Sequence, residues 1–186
     1  MKIIAGKYKS KQLVSPEGEK TRPTLSRIKE NLFNILCHRF NVDFAAAKVL
    51  DLFAGSGALG IECFSRGADQ ITFVDNEETA IQAIKKNTKS FDVKKIKIAQ
   101  ESVLKFLKKK SDEYDLVFMD PPYDINIIEP SLMALFENNW IHSNSLIIIE
   151  SAKKNGLTCP ENFEILDDRT YAKTTLFFVR LKQEVV

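Results

Sequence analysis

Cysteine and histidine are scarce in this 186-residue chain, with three of the first and two of the second. Cys37, Cys63 and Cys159 are odd in number and no two share a short motif, so they read as reduced thiols rather than a disulfide framework. His38 and His142 stand in unrelated contexts, and neither C-x-x-C nor H-x-x-x-H spacing occurs. No zinc ligand set is therefore expected, and nothing motivates catalytic-cysteine chemistry. Missing too is any apolar run near the roughly 18 residues of a membrane span. The densest run, Leu146-Ile147-Ile148-Ile149, has only strand length. The opening stretch Met1 to Lys7 is too briefly apolar for a signal peptide. A cytoplasmic location is expected.

What is present is ordinary for a globular protein: 44% hydrophobic and 28% charged residues. A chain of this length favours one domain, or one with a small appendage. It can bury roughly 70% of its unfolded surface without a metal or disulfide staple. The net charge of +2, from 27 basic and 25 acidic residues, at first argues against a polyanionic partner.

Residues 1–23 are irregular and basic, with Ile3-Ile4 and Leu13-Val14 expected as two short strands of a β-ribbon. Pro16, Gly18 and Pro23 mark loop. A helix is predicted over 24–40, with Leu25, Ile28, Leu32, Ile35, Leu36 and Phe40 on one apolar stripe and Thr24 as N-cap. Strands and helices then alternate. Strands are expected at 49–53, 71–74, 95–99, 116–119 and 145–150. Helices are expected from the Gly-rich turn to Arg66 and over 77–90, 102–110 and 127–138. Segments 163–168 and 174–181 read as a closing antiparallel hairpin. Strands separated by helices of this length make a parallel sheet with crossover helices, an α/β fold.

Asp51-Leu52-Phe53-Ala54-Gly55-Ser56-Gly57-Ala58-Leu59-Gly60 leaves one of these strands and enters a helix. Gly55, Gly57 and Gly60 match G-x-G-x-x-G, a tight turn that lets a ligand approach the backbone. Asp75 ends the next strand, twenty residues after Gly55, where a carboxylate can accept bonds from both hydroxyls of a ribose. A nucleoside cofactor is expected, with a packing-only turn as the competing reading. Asp51 favours S-adenosylmethionine over NAD, because an acid can hold the cofactor's ammonium but repels a pyrophosphate.

Asp120-Pro121-Pro122-Tyr123 follows the apolar strand 116–119, at the carboxyl end where open α/β sheets bind ligands. The tetrapeptide resembles the (Asn/Asp/Ser)-Pro-Pro-(Tyr/Phe) motif of amino-group methyltransferases. A nucleobase amine is a poor nucleophile because its lone pair is delocalised into the ring. The Asp120 carboxylate and the Pro121 carbonyl can accept its two hydrogens and aim the lone pair at a sulfonium methyl. Pro121 and Pro122 stiffen the loop, and Tyr123 offers a stacking face worth roughly 1–3 kcal/mol. The competing reading is a Pro-Pro loop with a capping Asp.

With these motifs in place, the chain resembles the bacterial RsmD-type guanine-N2 methyltransferases of small-subunit ribosomal RNA. The matching segments are Ile3 to Lys9 with Leu13, Arg22-Pro23-Thr24, Arg27 to Leu36, Asp51 to Gly60, Ser65 to Ala68, and Asp120 to Tyr123. The resemblance implies a Rossmann-like S-adenosylmethionine methyltransferase sheet: five parallel strands, a C-terminal antiparallel hairpin and helices on both faces. It implies 16S ribosomal RNA as substrate, as free RNA or a partly assembled small subunit. It implies Asp51, Phe53, Ala54, Gly55, Gly57, Gly60, Asp75 and Asn76 as cofactor contacts. Ser102 stands where an Asp or Asn usually meets the adenine, with the Val103 N–H beside it.

The charge average conceals a division. Residues 1–29 hold Lys2, Lys7, Lys9, Lys11, Lys20, Arg22, Arg27 and Lys29 against Glu17 and Glu19, a net +6, and the remainder carries −4. Lys7, Lys9 and Lys11 alternate, so on a strand they would share one face. Alone, such a run reads first as a solvated tail. The resemblance makes Lys7, Lys9, Lys11, Arg22, Thr24 and Arg27 candidate RNA contacts. The expected organisation is a basic extension over 1–23 and a methyltransferase domain over 24–186, monomeric and without metal. An adenine-N6 methyltransferase, an NAD-dependent oxidoreductase and a non-catalytic ribosome-assembly binder are the alternatives.

Overall fold

A computed structural model describes residues 1–18, 23–109, 112–121, 125–153 and 156–183. Its strands are β1 (Lys48–Leu52), β2 (Gln70–Asp75), β3 (Ile96–Gln100), β4 (Tyr114–Met119), β5 (Ile141–Ala152), β6 (Phe163–Tyr171) and β7 (Thr174–Leu181). Its helices are α1 (Pro23–His38), α2 (Ala58–Arg66), α3 (Glu78–Thr88), α4 (Val103–Leu107) and α5 (Ile128–Glu137). The seven strands form one sheet in the order β3-β2-β1-β4-β5-β7-β6. The first five are parallel, and β7 runs antiparallel between β5 and β6. This is the expected methyltransferase sheet.

Strand alternation divides the sheet between two cores. Val49, Phe73, Phe118 and Ile148 face one side, where they meet Phe33 and Leu36 of α1, Ile61 of α2 and Ile84 of α3. Leu50, Leu52, Val117, Ile147 and Ile149 face the other, where Leu107 of α4 and Leu132 and Leu135 of α5 cover them. Burial on both faces is why these strands are nearly continuous apolar runs.

Several boundaries differ from expectation. Helix α1 starts at Pro23, whose missing N–H suits the first helical position. Thr24 therefore lies inside the helix and is not its cap. The same helix stops at His38, and Phe40 lies beyond it, stacked on Phe178 with centroids 5.0 Å apart. Helix α4 covers five residues of the expected 102–110. Strand β5 extends both ways, because Ile141 already pairs with Tyr114 across a bulge.

The two short strands expected near the N-terminus reduce to one antiparallel bridge, Lys2 with Gln12. Residues 5–10 turn instead of running extended, so Lys7, Lys9 and Lys11 do not line one strand face. Gly6 and Ser10 have φ of +80° and +69° there. Ile3 and Leu13 are nonetheless buried in the α1–α2–α3 core. The buried Glu62 carboxylate on α2 accepts the Ile4 and Ala5 N–H groups at 2.8 and 2.9 Å. It also accepts Lys29 Nζ at 3.2 Å and Arg66 Nε at 3.1 Å. A Cβ at Gly6 would sit 1.8 Å from the Ser65 carbonyl oxygen, so glycine is required where the segment crosses α2.

Candidate active site

The Gly-rich turn joins β1 to α2 at the carboxyl edge of the sheet. Phe53 opens it at φ +59°, a costly conformation for a non-glycine residue, and the Ala54 N–H donates to Val74 O at 3.1 Å. Gly55 follows at φ +54°, and a Cβ there would meet nothing within 4 Å, so the turn is open above it. Gly57 closes it at φ +74°, its N–H donating to Ala54 O at 2.7 Å. Gly60 has a packing role as well. A Cβ on it would come within 2.6 Å of the Phe73 ring and 2.9 Å of Ile71.

Two carboxylates brace this turn from below and beside. Asp51 Oδ2 accepts the Gly60 N–H at 2.9 Å. Asp75 Oδ2 accepts the Gly55 N–H at 2.8 Å, and its Oδ1 accepts the Glu77 N–H at 2.9 Å. Each carboxylate oxygen can accept more than one bond, so Asp75 keeps capacity for hydroxyls of a ligand. Asp51 is enclosed. Burial pushes its carboxyl up to about 7, the Gly60 N–H works against that rise, and the Asp75 charge adds to it.

Asn76 is exposed beside Asp75. The Glu101 N–H donates to Asp75 O at 3.0 Å, which brings Ser102 and Val103 to the same edge. Ser102 is exposed, precedes α4, and makes no side-chain cap bond. Val103 is buried and starts that helix, where backbone N–H groups lack intrahelical partners.

Strand β4 lies next to β1, with Met119 paired to Leu52. Asp120 and Pro121 therefore emerge level with Phe53, one strand spacing from the Gly-rich turn. Asp120 is exposed and Pro121 half-buried. Pro122 and Tyr123 lie outside the described residues. The turn, Asp75, Ser102 and Asp120 thus lie at one edge of the sheet.

The basic candidates are less uniform. Lys7, Lys9 and Arg27 are exposed. Lys11 Nζ is engaged by the domain: it donates to Asn87 O at 3.1 Å and Ser90 Oγ at 2.5 Å, and sits 4.3 Å from the Phe91 ring centroid. Arg22 lies outside the described residues, and Thr24 is placed only as a helix position.

Sequence reasoning missed Glu62 and Asn87. Asn87 is buried at the end of α3. It accepts the Val14 N–H at 2.8 Å and donates to Val14 O and Ser56 O, both at 2.9 Å. It thus ties the N-terminal segment to the Gly-rich turn. Glu62 carried a signal that could have been read, a charge between Ile61 and Cys63 on an otherwise apolar helix face. Asn87 carried none, since its partners are backbone groups distant in sequence.

The chain is similar to known proteins along nearly its whole length. The family model of conserved hypothetical protein 95 matches residues 1–180. A Haemophilus influenzae relative named ribosomal RNA small subunit methyltransferase D is 37% identical over 174 residues, 91% of this chain and 88% of that one. The solved Escherichia coli chain yhhF, assigned to the methyltransferases, is 31% identical with a TM-score of 0.86, covering 98% of each chain. A further chain solved in complex with SAH shares the fold at a TM-score of 0.65 and 15% identity, over 94% of this chain and 52% of that one. The extent of the family match and the Haemophilus identity place this chain in the conserved hypothetical protein 95 family, the RsmD family that its motifs resemble.

Proposed function

We propose that the protein transfers a methyl group from S-adenosylmethionine to the exocyclic N2 amine of a guanine in 16S ribosomal RNA. The observation that carries this reading is the register of Leu52 with Met119. It sets the Gly-rich turn and Asp120-Pro121 side by side at one sheet edge, so that a methyl donor on the first meets an amine on the second. The naming of the Haemophilus influenzae relative as a ribosomal RNA small subunit methyltransferase supports the RNA substrate.

Asp75 would hold the cofactor's ribose hydroxyls, and the open space over Gly55 would admit its backbone approach. Asp51 would act on the ammonium through the Gly60 end of the turn. The local charge favours this cofactor: Asp51 and Asp75 flank the turn, which suits a sulfonium and an ammonium and repels a pyrophosphate. Ser102 and the Val103 N–H lie where the adenine would be read. Asn76, Phe53 and Ala54 complete the cofactor set.

The Asp120 carboxylate and Pro121 carbonyl would take the two amine hydrogens and orient the nitrogen lone pair in line with the S–CH₃ bond. Bound S-adenosylmethionine would supply a methyl on a positively charged sulfur, so that the C–N bond would form as the C–S bond broke and its electron pair returned to sulfur. The proton leaves the nitrogen after transfer, so Asp120 need not be a strong base. Positioning supplies most of the acceleration, with Pro122 and Tyr123 completing the loop. Lys7, Lys9, Arg22, Thr24 and Arg27 would meet RNA phosphates, with Lys11 in support. The protein would act as a monomer in the cytoplasm, on free RNA or a partly assembled subunit.

The test is a calorimetric titration with S-adenosylmethionine, followed by transfer of its labelled methyl to 16S RNA or small-subunit particles. One-to-one binding and label in RNA are expected. Binding of NAD in place of S-adenosylmethionine would overturn the reading.

A further inference from the structure

Four neighbouring strands carry an acid near the same edge: Asp51 in β1, Asp75 in β2, Asp120 just after β4 and Glu150 in β5. The first three have roles in the proposed reaction; Glu150 has none. Its position follows from register. Leu52, Met119 and Ile149 form one row across β1, β4 and β5. Continued one residue past the end of β4, that register brings Asp120 level with Glu150, one strand spacing of about 5 Å away. Phe118 and Ile148 face the α1–α2–α3 side, and Glu150, two residues after Ile148 within β5, follows the same alternation.

The Glu150 side chain is held in place. The Thr174 hydroxyl on β7 lies 3.0 Å from its Oε1 and 2.9 Å from Ser151 O. One oxygen is thus anchored to the sheet, and the residue is half-buried. Burial pushes its carboxyl up, with the Thr174 contact opposing. A neutral N–H donor from a ligand would favour its charged form.

Guanine presents two donors side by side on one edge, the N2 amine and N1–H. Adenine beside its N6 amine presents a bare N1 acceptor. An Asp-Pro-Pro-Tyr loop that grips only the amine cannot tell the two apart. We propose that Glu150 is the specificity-determining residue of the amine site, its carboxylate accepting N1–H of guanine while Asp120 and Pro121 hold the N2 amine. Adenine in the same pose would bring its N1 lone pair against that carboxylate and be rejected. This inference rests on the guanine-N2 reading and deepens it.

The test uses the full-length protein and RNA in which the target guanine, once mapped, is replaced by 2,6-diaminopurine through ligation. That base keeps the 2-amino group and lacks N1–H. The wild-type enzyme is expected to favour the guanine RNA by roughly 10⁴-fold in kcat/KM, since a site built to bond an N–H rejects an analogue without it. Glu150→Gln keeps the contact with Thr174 and can donate to a bare N1, so its preference should shrink to within about tenfold. A melting curve and an S-adenosylmethionine titration on the variant check that the fold and cofactor site persist. Equal use of the two RNAs by the wild type would overturn the proposal without a variant being needed. A Glu150→Gln preference equal to wild type would overturn it too. In both of those outcomes N2-methylguanosine still forms, so the reaction assignment survives. Absence of N2-methylguanosine from the unmodified RNA would remove both.

Discussion

Single side chains carry most of the proposed chemistry. Asp120→Ala would remove one of the two acceptors proposed for the target amine, and turnover should fall by roughly 10²–10³ with cofactor affinity little changed. Labelled transfer under saturating S-adenosylmethionine measures this, and wild-type turnover would remove Asp120 from the mechanism. Asp51 makes a prediction in pH. Its carboxyl is raised to about 7 in the folded protein, against about 3.9 in an unfolded chain. A group raised on folding stabilises fully below its unfolded value, and that contribution is lost as pH rises to about 7. Asp51→Asn should therefore lack the decline in stability that wild type shows between about pH 4 and pH 7. A bound ammonium favours the ionised form, so wild-type affinity for S-adenosylmethionine should climb with pH by at most about tenfold per unit and level off above 7. In Asp51→Asn it should stay flat. Calorimetry across that range decides, and a flat wild-type profile would separate Asp51 from the ammonium. Both acids were legible in the sequence because Asp51 opens the Gly-rich motif and Asp120 opens the Pro-Pro motif. Glu62 offered only its charge on an apolar helix face as a signal; its partners, the Ile4 and Ala5 N–H groups, lie 58 and 57 residues away and were not legible.

At the scale of elements, the N-terminal segment differs most from its sequence reading. Its lysines suggested a ribbon, but the backbone turns at Gly6 and locks onto α2 and α3 through Glu62, Ser65 and Asn87. The Lys7 N–H donates to Ser65 O at 2.7 Å, and the Tyr8 N–H to Ser65 Oγ at 3.0 Å. Gly6→Ala should cost about 2–4 kcal/mol, because a Cβ would collide with a backbone carbonyl. Glu62→Gln should cost about 3–5 kcal/mol by leaving Lys29 buried without its charge partner. Chemical denaturation reads both, and unchanged midpoints would mean that the segment is only loosely attached. Periodicity could not foresee this docking, since the contacts are single side chains meeting backbone. It did foresee the five parallel strands, because burial on both faces makes each one an apolar run. The ends of α1 and α4 escaped it, where the polar residues around them fit helix and loop alike.

For the whole molecule, a net charge of +2 hides a basic segment on a mildly acidic body. If that segment grips RNA, Lys7→Ala and Lys9→Ala should each flatten the salt dependence of binding by about one unit of slope. Lys11→Ala should instead lower the melting temperature, since its amine is bound to Asn87, Ser90 and the Phe91 ring. Equal salt slopes for wild type and the first two variants would place the RNA elsewhere. The central claim, methylation of a guanine N2 amine in 16S RNA, is tested most directly by nucleoside mass spectrometry. The RNA is recovered after incubation with the protein and S-adenosylmethionine, as free 16S RNA and as small-subunit particles. The account predicts N2-methylguanosine as the new nucleoside in at least one substrate. N6-methyladenosine, or no methylated nucleoside in either, would contradict it.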